Sequence, residues 1–203
     1  IYFEVEKQKK RQSIDISRSQ SFIYALNSVA TKISQTKNPD VILQTLGEEL
    51  KTLGMGNLIL RLEDNKTLAT VEYISTPQSV LKTIQKFTGV NLQGFSVKEK
   101  YWKKLADDYF YQGKALFVSD PIEFTALVIP SITTPLLKKA LMSTLGHTKD
   151  KAVYLPLIEE NQAYGILGIW GSNLTEEDIP ILQVFAGQIS NILKSAETIK
   201  RKQ

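Results

Sequence analysis

Apolar residues recur at helical spacing near both ends of the chain. Within residues 13–37 the recurring apolar positions are Ile14, Phe22, Leu26, Val29 and Ile33. Towards the other end, steps of three and four residues alternate between Leu182, Phe185, Ile189, Ile192, Ala196 and Ile199. This spacing predicts two amphipathic helices, and the second resembles the seam of a coiled-coil or bundle helix. Such helices either pack on their own domain or transmit movement along a signalling chain, and the two interpretations are compatible.

A third helix is predicted to begin at Asn38. Asparagine is a favoured N-cap, Pro39 suits the first helical position, and the carboxylate of Asp40 faces the positive end of the helix dipole. An apolar stripe follows, which comprises Ile42, Leu43, Leu46, Leu50 and Leu53. Because Gly54 can end the helix, the pattern predicts one amphipathic helix between Asn38 and Gly54.

Four apolar runs are typical of β-strands and form two hairpins. Residues 58–62 and 68–74 flank a polar turn, and residues 153–158 and 163–170 flank a second polar turn. A shorter run over 115–118 predicts one more buried strand. Hairpins in place of β-α-β alternation favour an antiparallel sheet with helices to one side, which is an α+β fold.

The remaining patterns refine this picture. A short helix is predicted over 80–87, and the less regular segment 124–145 contains Pro130 before a helix that restarts at Thr134. Three glycines lie within or just after the last strand: Gly165, Gly168 and Gly171. Glycine in a strand marks a bulge or the close approach of a helix or ligand. A capping-box pattern over 175–178 opens the final helix.

Composition limits the chemistry that is available to these elements. The chain has 203 residues, no cysteine and a single histidine, so a disulfide, a thiolate metal site and a histidine cluster are all excluded. The formal net charge is +4, but residues 1–18 and 194–203 together carry +5, which leaves the body near −1. We therefore expect no nucleic-acid partner, since such binders concentrate positive charge on a folded face. No signal peptide, membrane span or converging acid–base pair is evident, so we expect no membrane contact and no enzymatic activity.

Three stretches of the sequence resemble the GAF domain, a small-molecule-binding and dimerising module of bacterial and archaeal signalling proteins. They are residues 40–64, the second hairpin from Val153 to Ile169, and the segment 174–189 that leads into the final helix. The likeness covers about residues 38–195 and is most specific in the last third. It implies a GAF/PAS-like α+β fold with a central antiparallel sheet of about six strands, helices that pack into a dimer on one face, and a ligand cavity on the other.

The resemblance divides the chain into three parts. Residues 1–37 are expected to form an N-terminal linker or signalling helix, residues 38–195 the sensor domain, and residues 196–203 a helical linker towards an output domain. The chain starts at Ile1, and we expect it to be a fragment of a longer cytoplasmic protein, such as a sensor histidine kinase whose other parts could be anchored in a membrane.

Departures from the family's patterns narrow the function. Members that bind bilins covalently use a cysteine, as do relatives that reduce free methionine sulfoxide, and this chain has none. The Asn-Lys-Phe-Asp-Glu pattern of cyclic-nucleotide-binding members is also absent from the sequence. The cofactor therefore stays unknown, and covalent bilin is excluded.

His147 is the one residue that could serve as an axial haem ligand, as in haem-binding sensor domains of this kind. It follows Gly146 in a polar, loop-like context with no evident companion ligand. The alternative is an ordinary surface-loop histidine.

Aromatic residues cluster in the segment that borders the cavity of a GAF arrangement. The candidate ligand-binding residues are Trp102, Tyr109, Tyr111 and Phe117, together with Tyr154 and Trp170 of the second hairpin. Aromatic side chains suit a mostly apolar pocket, but they can equally complete a core beneath a long loop. The sequence thus favours a non-catalytic sensory domain that binds a small molecule or relays an upstream signal through a helical homodimer. A ligand-free dimerisation spacer is the alternative.

Overall fold

A computed structural model describes residues 2–63, 68–128, 138 and 149–201. The helices within these ranges are α1 (Tyr2–Ile33), α2 (Pro39–Thr52), α3 (Gln78–Thr88), α4 (Glu99–Asp108), α5 (Pro121–Val128) and α6 (Ile179–Arg201). The strands are β1 (Gly56–Leu62), β2 (Leu68–Ile74), β3 (Ser96–Lys98), β4 (Leu116–Val118), β5 (Lys151–Glu159) and β6 (Gln162–Gly171).

The described strands form one six-stranded sheet in the order β3-β2-β1-β6-β5-β4, and each neighbouring pair is antiparallel. Both predicted hairpins are confirmed, as β1–β2 and β5–β6. The turn between β5 and β6 places Glu160 and Asn161 at φ values of 47° and 64°. Positive φ at both central positions matches the right-handed twist of the flanking strands, so this turn sets the register of the longest strand pair. The predicted α+β class with a six-stranded antiparallel sheet is therefore confirmed.

The three longest helices, α1, α2 and α6, cover one face of the sheet, which we call the helix face. Apolar side chains from all three meet those of the central strands in the main core. Its buried members include Leu26, Val29, Ile33, Ile42, Leu46, Leu50, Ile59, Val153, Leu155, Leu167, Phe185 and Ile189. The opposite face, which we call the cavity face, is covered by the shorter helices α3, α4 and α5 through a second and a third apolar cluster.

The predicted helix starts are present. The Asn38 side chain accepts a hydrogen bond of 3.0 Å from the backbone of Asp40 at the start of α2. Thr175 and Asp178 form the capping box before α6. The pattern over 80–87 corresponds to α3. The helices α4 and α5 lie in segments where no clear helix was predicted. Pro130 and Thr134 lie outside the described residues.

Both terminal stripes pack on the domain itself. In α1 the stripe is buried from Leu26 onward, whereas Ile14 is exposed. In α6 most of the predicted seam is buried against the sheet, as Phe185 and Ile189 show. No helix within the described ranges is long and apolar enough to cross a membrane.

Asn57 is a polar residue whose side chain is completely buried in β1. Neither its Nδ2 nor its Oδ1 has a hydrogen-bond partner among the described residues. The backbone N–H of Asn57 donates to the Ser75 hydroxyl at 2.8 Å, so only the side chain lacks partners. Burial without partners costs free energy, and an apolar side chain of similar size avoids that cost.

We therefore expect Asn57→Val to raise the free energy of unfolding by about 1 kcal/mol, since valine also favours strands. Chemical denaturation of both proteins measures the change. Asn57→Ala is the matched control. It also removes the amide, but it leaves a void, so its free energy of unfolding should rise less than that of the valine variant. A loss of stability in the valine variant would show that the amide has a polar partner in solution.

Candidate ligand-binding cavity

A cavity of about 160 Å³ lies between the cavity face of the sheet and helices α3, α4 and α5. Strand residues form its floor: Leu58, Leu60, Ala69, Val71, Ala152, Tyr154, Ile166 and Trp170. Helix residues close it from above: Ile84, Trp102, Leu105, Ile122, Phe124, Thr125 and Val128. Alternation along the strands explains the floor, because every second side chain of a strand points to the same face.

Two floor aromatics lie flat on glycines of the neighbouring strand. Gly168 is the cross-strand partner of Tyr154, and a Cβ atom added there would lie 2.9 Å from the tyrosine ring. Gly56 is the partner of Trp170, and a Cβ added there would overlap the indole. The glycines thus let both rings lie against the sheet.

The cavity is nearly free of charge. Burial raises the pKa of the Tyr154 hydroxyl well above its usual range, so this phenol is neutral at physiological pH. Asp150, a half-buried residue, contributes the one carboxylate among the described lining residues. The hydroxyl of Thr125 donates to the carbonyl of Pro121 at 2.6 Å and is therefore already satisfied.

Trp102 supplies an unsatisfied donor beside this apolar space. The residue is 4% exposed, and its Nε1 has no hydrogen-bond partner among the described residues. Its ring centroid lies 6.0 Å from that of Tyr111. A buried indole usually finds a partner for its N–H, so this donor marks the place where an acceptor is missing.

The predicted ligand-binding residues fall into three groups. Trp102, Tyr154 and Trp170 line the cavity together. Tyr109 and Tyr111 pack in the adjoining apolar cluster on the same face. The prediction that Phe117 lines the cavity was wrong. Its two neighbours in β4 pack in the cavity-face cluster, and because side chains alternate along a strand, Phe117 points to the other face and packs against the main core. His147, the candidate haem ligand, lies outside the described residues.

Several lining residues were missed in the sequence. Phe124 lies 4.6 Å from Tyr154 between ring centroids and forms part of the roof. Its helix α5 begins at Pro121, where the Asp120 carboxylate accepts hydrogen bonds from the backbone of Ile122 and Glu123. This Asp-Pro cap is the feature of the sequence from which α5 could have been predicted.

The helix face carries a polar cluster directly opposite the cavity, which we call the Arg61 cluster; it comprises Arg61, Glu72, Tyr164, Lys194 and Glu197. The Arg61 guanidinium donates to both carboxylate oxygens of Glu72, each at 3.1 Å, and also to the carboxylate of Glu197 in α6. The Tyr164 ring lies between two cations, 5.3 Å from Arg61 and 4.1 Å from Lys194. The cluster therefore links strands β1, β2 and β6 to the last turns of α6.

A β-bulge creates the arrangement. The register between β1 and β2 shifts between Ile59 and Leu60, which pair with Tyr73 and Val71 and leave Glu72 as the extra residue. A bulge re-aims the side chain of its extra residue, and here that side chain meets Arg61. Burial lowers the pKa of Arg61, but the two carboxylates outweigh this effect and the pKa is raised overall. Burial also raises the pKa of Tyr164 to about 12.

In the described part of the chain, no group of three His, Asp or Glu side chains is placed to hold a metal ion. No protein-family profile matches the chain, and no curated protein matches it. Solved structures match it over most of its length.

Three of these structures illustrate the likeness. One is the GAF domain of a phosphoenolpyruvate-protein phosphotransferase from Coxiella burnetii, with a TM-score of 0.60 and 14% identity over 90% of this chain and 98% of that one. Another is a methyl-accepting chemotaxis protein, residues 122 to 287, with a TM-score of 0.56 and 16% identity over 86% and 99%. The third is a GAF domain/HD domain protein from Geobacter sulfurreducens, with a TM-score of 0.53 and 12% identity over 82% and 98%. At these identities the comparison shows the fold, which is that of GAF domains.

Proposed function

We propose that the chain is a non-catalytic sensory or regulatory domain, in which occupation of the cavity changes how α6 rests on the sheet. The fold supports this role, since similar structures include a chemotaxis protein and the chromophore-binding domain of a bacteriophytochrome. In this proposal a small molecule occupies the cavity, and α6 passes the change on to an output domain such as a histidine kinase. The cytoplasmic location stays a prediction.

One observation carries the proposal: strand β1 connects the cavity with α6. Leu60 lines the cavity, and the next residue, Arg61, holds Glu197 of α6 on the other face. Consecutive strand residues share a rigid backbone, so a ligand that pushes Leu60 also moves the base of the Arg61 cluster. The bulge beside Leu60 gives this strand pair a local irregularity through which it can adjust.

Dimerisation through α1 and α6 is the second part of the proposal. The two helices run in the same direction, because Arg18 contacts Asp178 at 3.0 Å and Asn27 contacts Gln188 at 3.4 Å. Large apolar side chains are exposed along them: Ile16, Ile23, Tyr24 and Val184. Exposed apolar residues along neighbouring helices favour burial against a partner, and a second copy would bury them symmetrically.

The chain contains no cysteine, so spin labels at two introduced cysteines report the distance within one chain when labelled chains are diluted with an excess of unlabelled chain, which leaves one labelled copy in a dimer. We expect spin labels at Lys86→Cys in α3 and Thr198→Cys in α6 to show a changed distance when Ala152→Leu fills part of the cavity. Ser79→Leu on the exposed side of α3 is the control and should leave the distance unchanged. Native mass at high concentration measures dimerisation.

The outcomes separate the two functions predicted from the sequence. A dimer whose labelled distance changes only with Ala152→Leu supports a sensor. A dimer with an unchanged distance favours a structural spacer. A monomer at high concentration contradicts the helical relay between copies.

A further inference from the structure

We infer that the cavity binds a neutral, mainly apolar ring compound of about the size of a substituted benzene, which carries a hydrogen-bond acceptor for Trp102. This inference names the ligand class for the proposed sensory function and rests on that function for its biological meaning. Charge, volume and the position of one unsatisfied donor each support it.

The charge of the described lining disfavours anions. No Lys, Arg or His is among these residues, so a carboxylate or phosphate would meet no cation along this part of the cavity wall. Transferring an unpaired charge from water into such surroundings costs far more than apolar contacts return. Nucleotides and organic acids are therefore disfavoured, and a neutral molecule is preferred.

The volume of the cavity limits the size of the ligand. About 160 Å³ is close to the roughly 150 Å³ of an engineered apolar protein cavity that stays dry and binds benzene. Drug-sized ligands and cofactors occupy larger pockets, from about 300 Å³ upward. The ring of Trp170 on the floor offers a stacking face to a single aromatic ring, and the Tyr154–Phe124 pair, whose ring centroids lie 4.6 Å apart, offers edge contacts.

Trp102 supplies the polar recognition. Its buried Nε1 donor has no partner among the described residues, and a ligand oxygen within reach would satisfy it. A new hydrogen bond of this kind contributes about 0.5–1.5 kcal/mol, which corresponds to roughly a twofold to twelvefold gain in affinity. A neutral ring with a carbonyl or ether oxygen should therefore bind more tightly than the same ring without one.

The two tryptophans of the chain, Trp102 and Trp170, both line the cavity, so selectively excited tryptophan fluorescence reports on it without a signal from tryptophans elsewhere. We would titrate the full chain with acetophenone, toluene, benzoate and cyclic AMP. We expect acetophenone to bind about twofold to twelvefold more tightly than toluene. Benzoate and cyclic AMP should each bind at least about tenfold more weakly than acetophenone.

The variants Trp102→Phe and Trp170→Phe form a matched pair, since each keeps an aromatic ring and leaves one tryptophan as the reporter. The preference for acetophenone over toluene should disappear in Trp102→Phe and persist in Trp170→Phe. A second measurement does not depend on the folding of either variant. In the unmodified chain, acetophenone should shift one of the two indole N–H resonances more than toluene does.

Several results would overturn the inference. Tighter binding of benzoate or cyclic AMP would exclude a neutral ligand, and so would the absence of binding by both neutral rings up to their solubility. An unchanged preference in Trp102→Phe would remove Trp102 as the recognition group. The distance test with Ala152→Leu uses no ligand, so it can succeed when the ligand class fails. If rings bind but α6 does not move, the sensory function fails and the binding site stands.

Discussion

Replacing Phe185 with alanine is expected to lower the free energy of unfolding by about 3–5 kcal/mol. Phe185 is 1% exposed and belongs to the main core between α6 and the sheet. Truncation removes the apolar surface that the ring buries and leaves a void, because the close-packed core can collapse only in part. Native domains are stable by about 5–15 kcal/mol, so this one change removes a large share of the total. Urea denaturation followed by circular dichroism measures it.

Val184→Ala provides the control. Val184 is the preceding residue of α6, yet it is 66% exposed. Its truncation should change the free energy of unfolding by less than about 0.5 kcal/mol, because surface substitutions of this kind rarely do more. Similar losses in both variants would mean that α6 does not bury the Phe185 side as described. A loss at Val184 that grows with protein concentration would instead indicate that a second copy covers this side of α6.

The features that were predicted well have periodic patterns of useful length. The α6 stripe spans five turns, so the buried positions Phe185 and Ile189 followed from spacing alone. The β5–β6 hairpin was evident because its strands are long and apolar. Glycines within the last strand predict a bulge or the close approach of a helix or ligand. The groups that approach Gly165 and Gly168 belong instead to neighbouring strands, and they are the Leu60 carbonyl and the Tyr154 ring.

The features that were missed depend on contacts between distant residues. Strand β4 has three residues, too few to show which side of the sheet Phe117 faces, and pairing with β5 decides it. The cavity needs three separate helices above the sheet, and no local pattern fixes their position. Glu72 meets Arg61 only because a bulge shifts the register of β2, which a single alternating pattern does not reveal.

Arg61→Met is the second change with a large expected effect, and it should loosen the end of α6. Arg61 is 30% exposed and bonds two carboxylates, of which Glu197 is 17% exposed. Methionine keeps much of the apolar stem but leaves Glu72 and Glu197 without their shared cation. Removing one partner of a fully buried ion pair lowers the free energy of unfolding by about 3–5 kcal/mol. Because solvent screens the charges at this partly exposed site, we expect Arg61→Met to lower it by about 2 kcal/mol.

Hydrogen exchange distinguishes a local from a global effect of this change. Relative to the unmodified chain, we expect the exchange rate to rise more in the last two turns of α6, near Glu197, than in the buried hairpin β5–β6, because only the former loses its attachment to Arg61. Lys32→Met is the matched control, since Lys32 forms a more exposed ion pair with Glu49 at 2.6 Å. This substitution should lower the free energy of unfolding by less than about 1 kcal/mol.

A double-mutant cycle with Glu197→Gln then isolates the contact between β1 and α6. Because Arg61 and Glu197 share a direct hydrogen bond, their effects should not add, and the interaction energy should exceed about 0.5 kcal/mol. Additive effects together with unchanged exchange at the end of α6 would show that the Arg61 cluster does not hold the helix. The proposed route from Leu60 to α6 would then lack its physical link, even if the cavity binds a ligand.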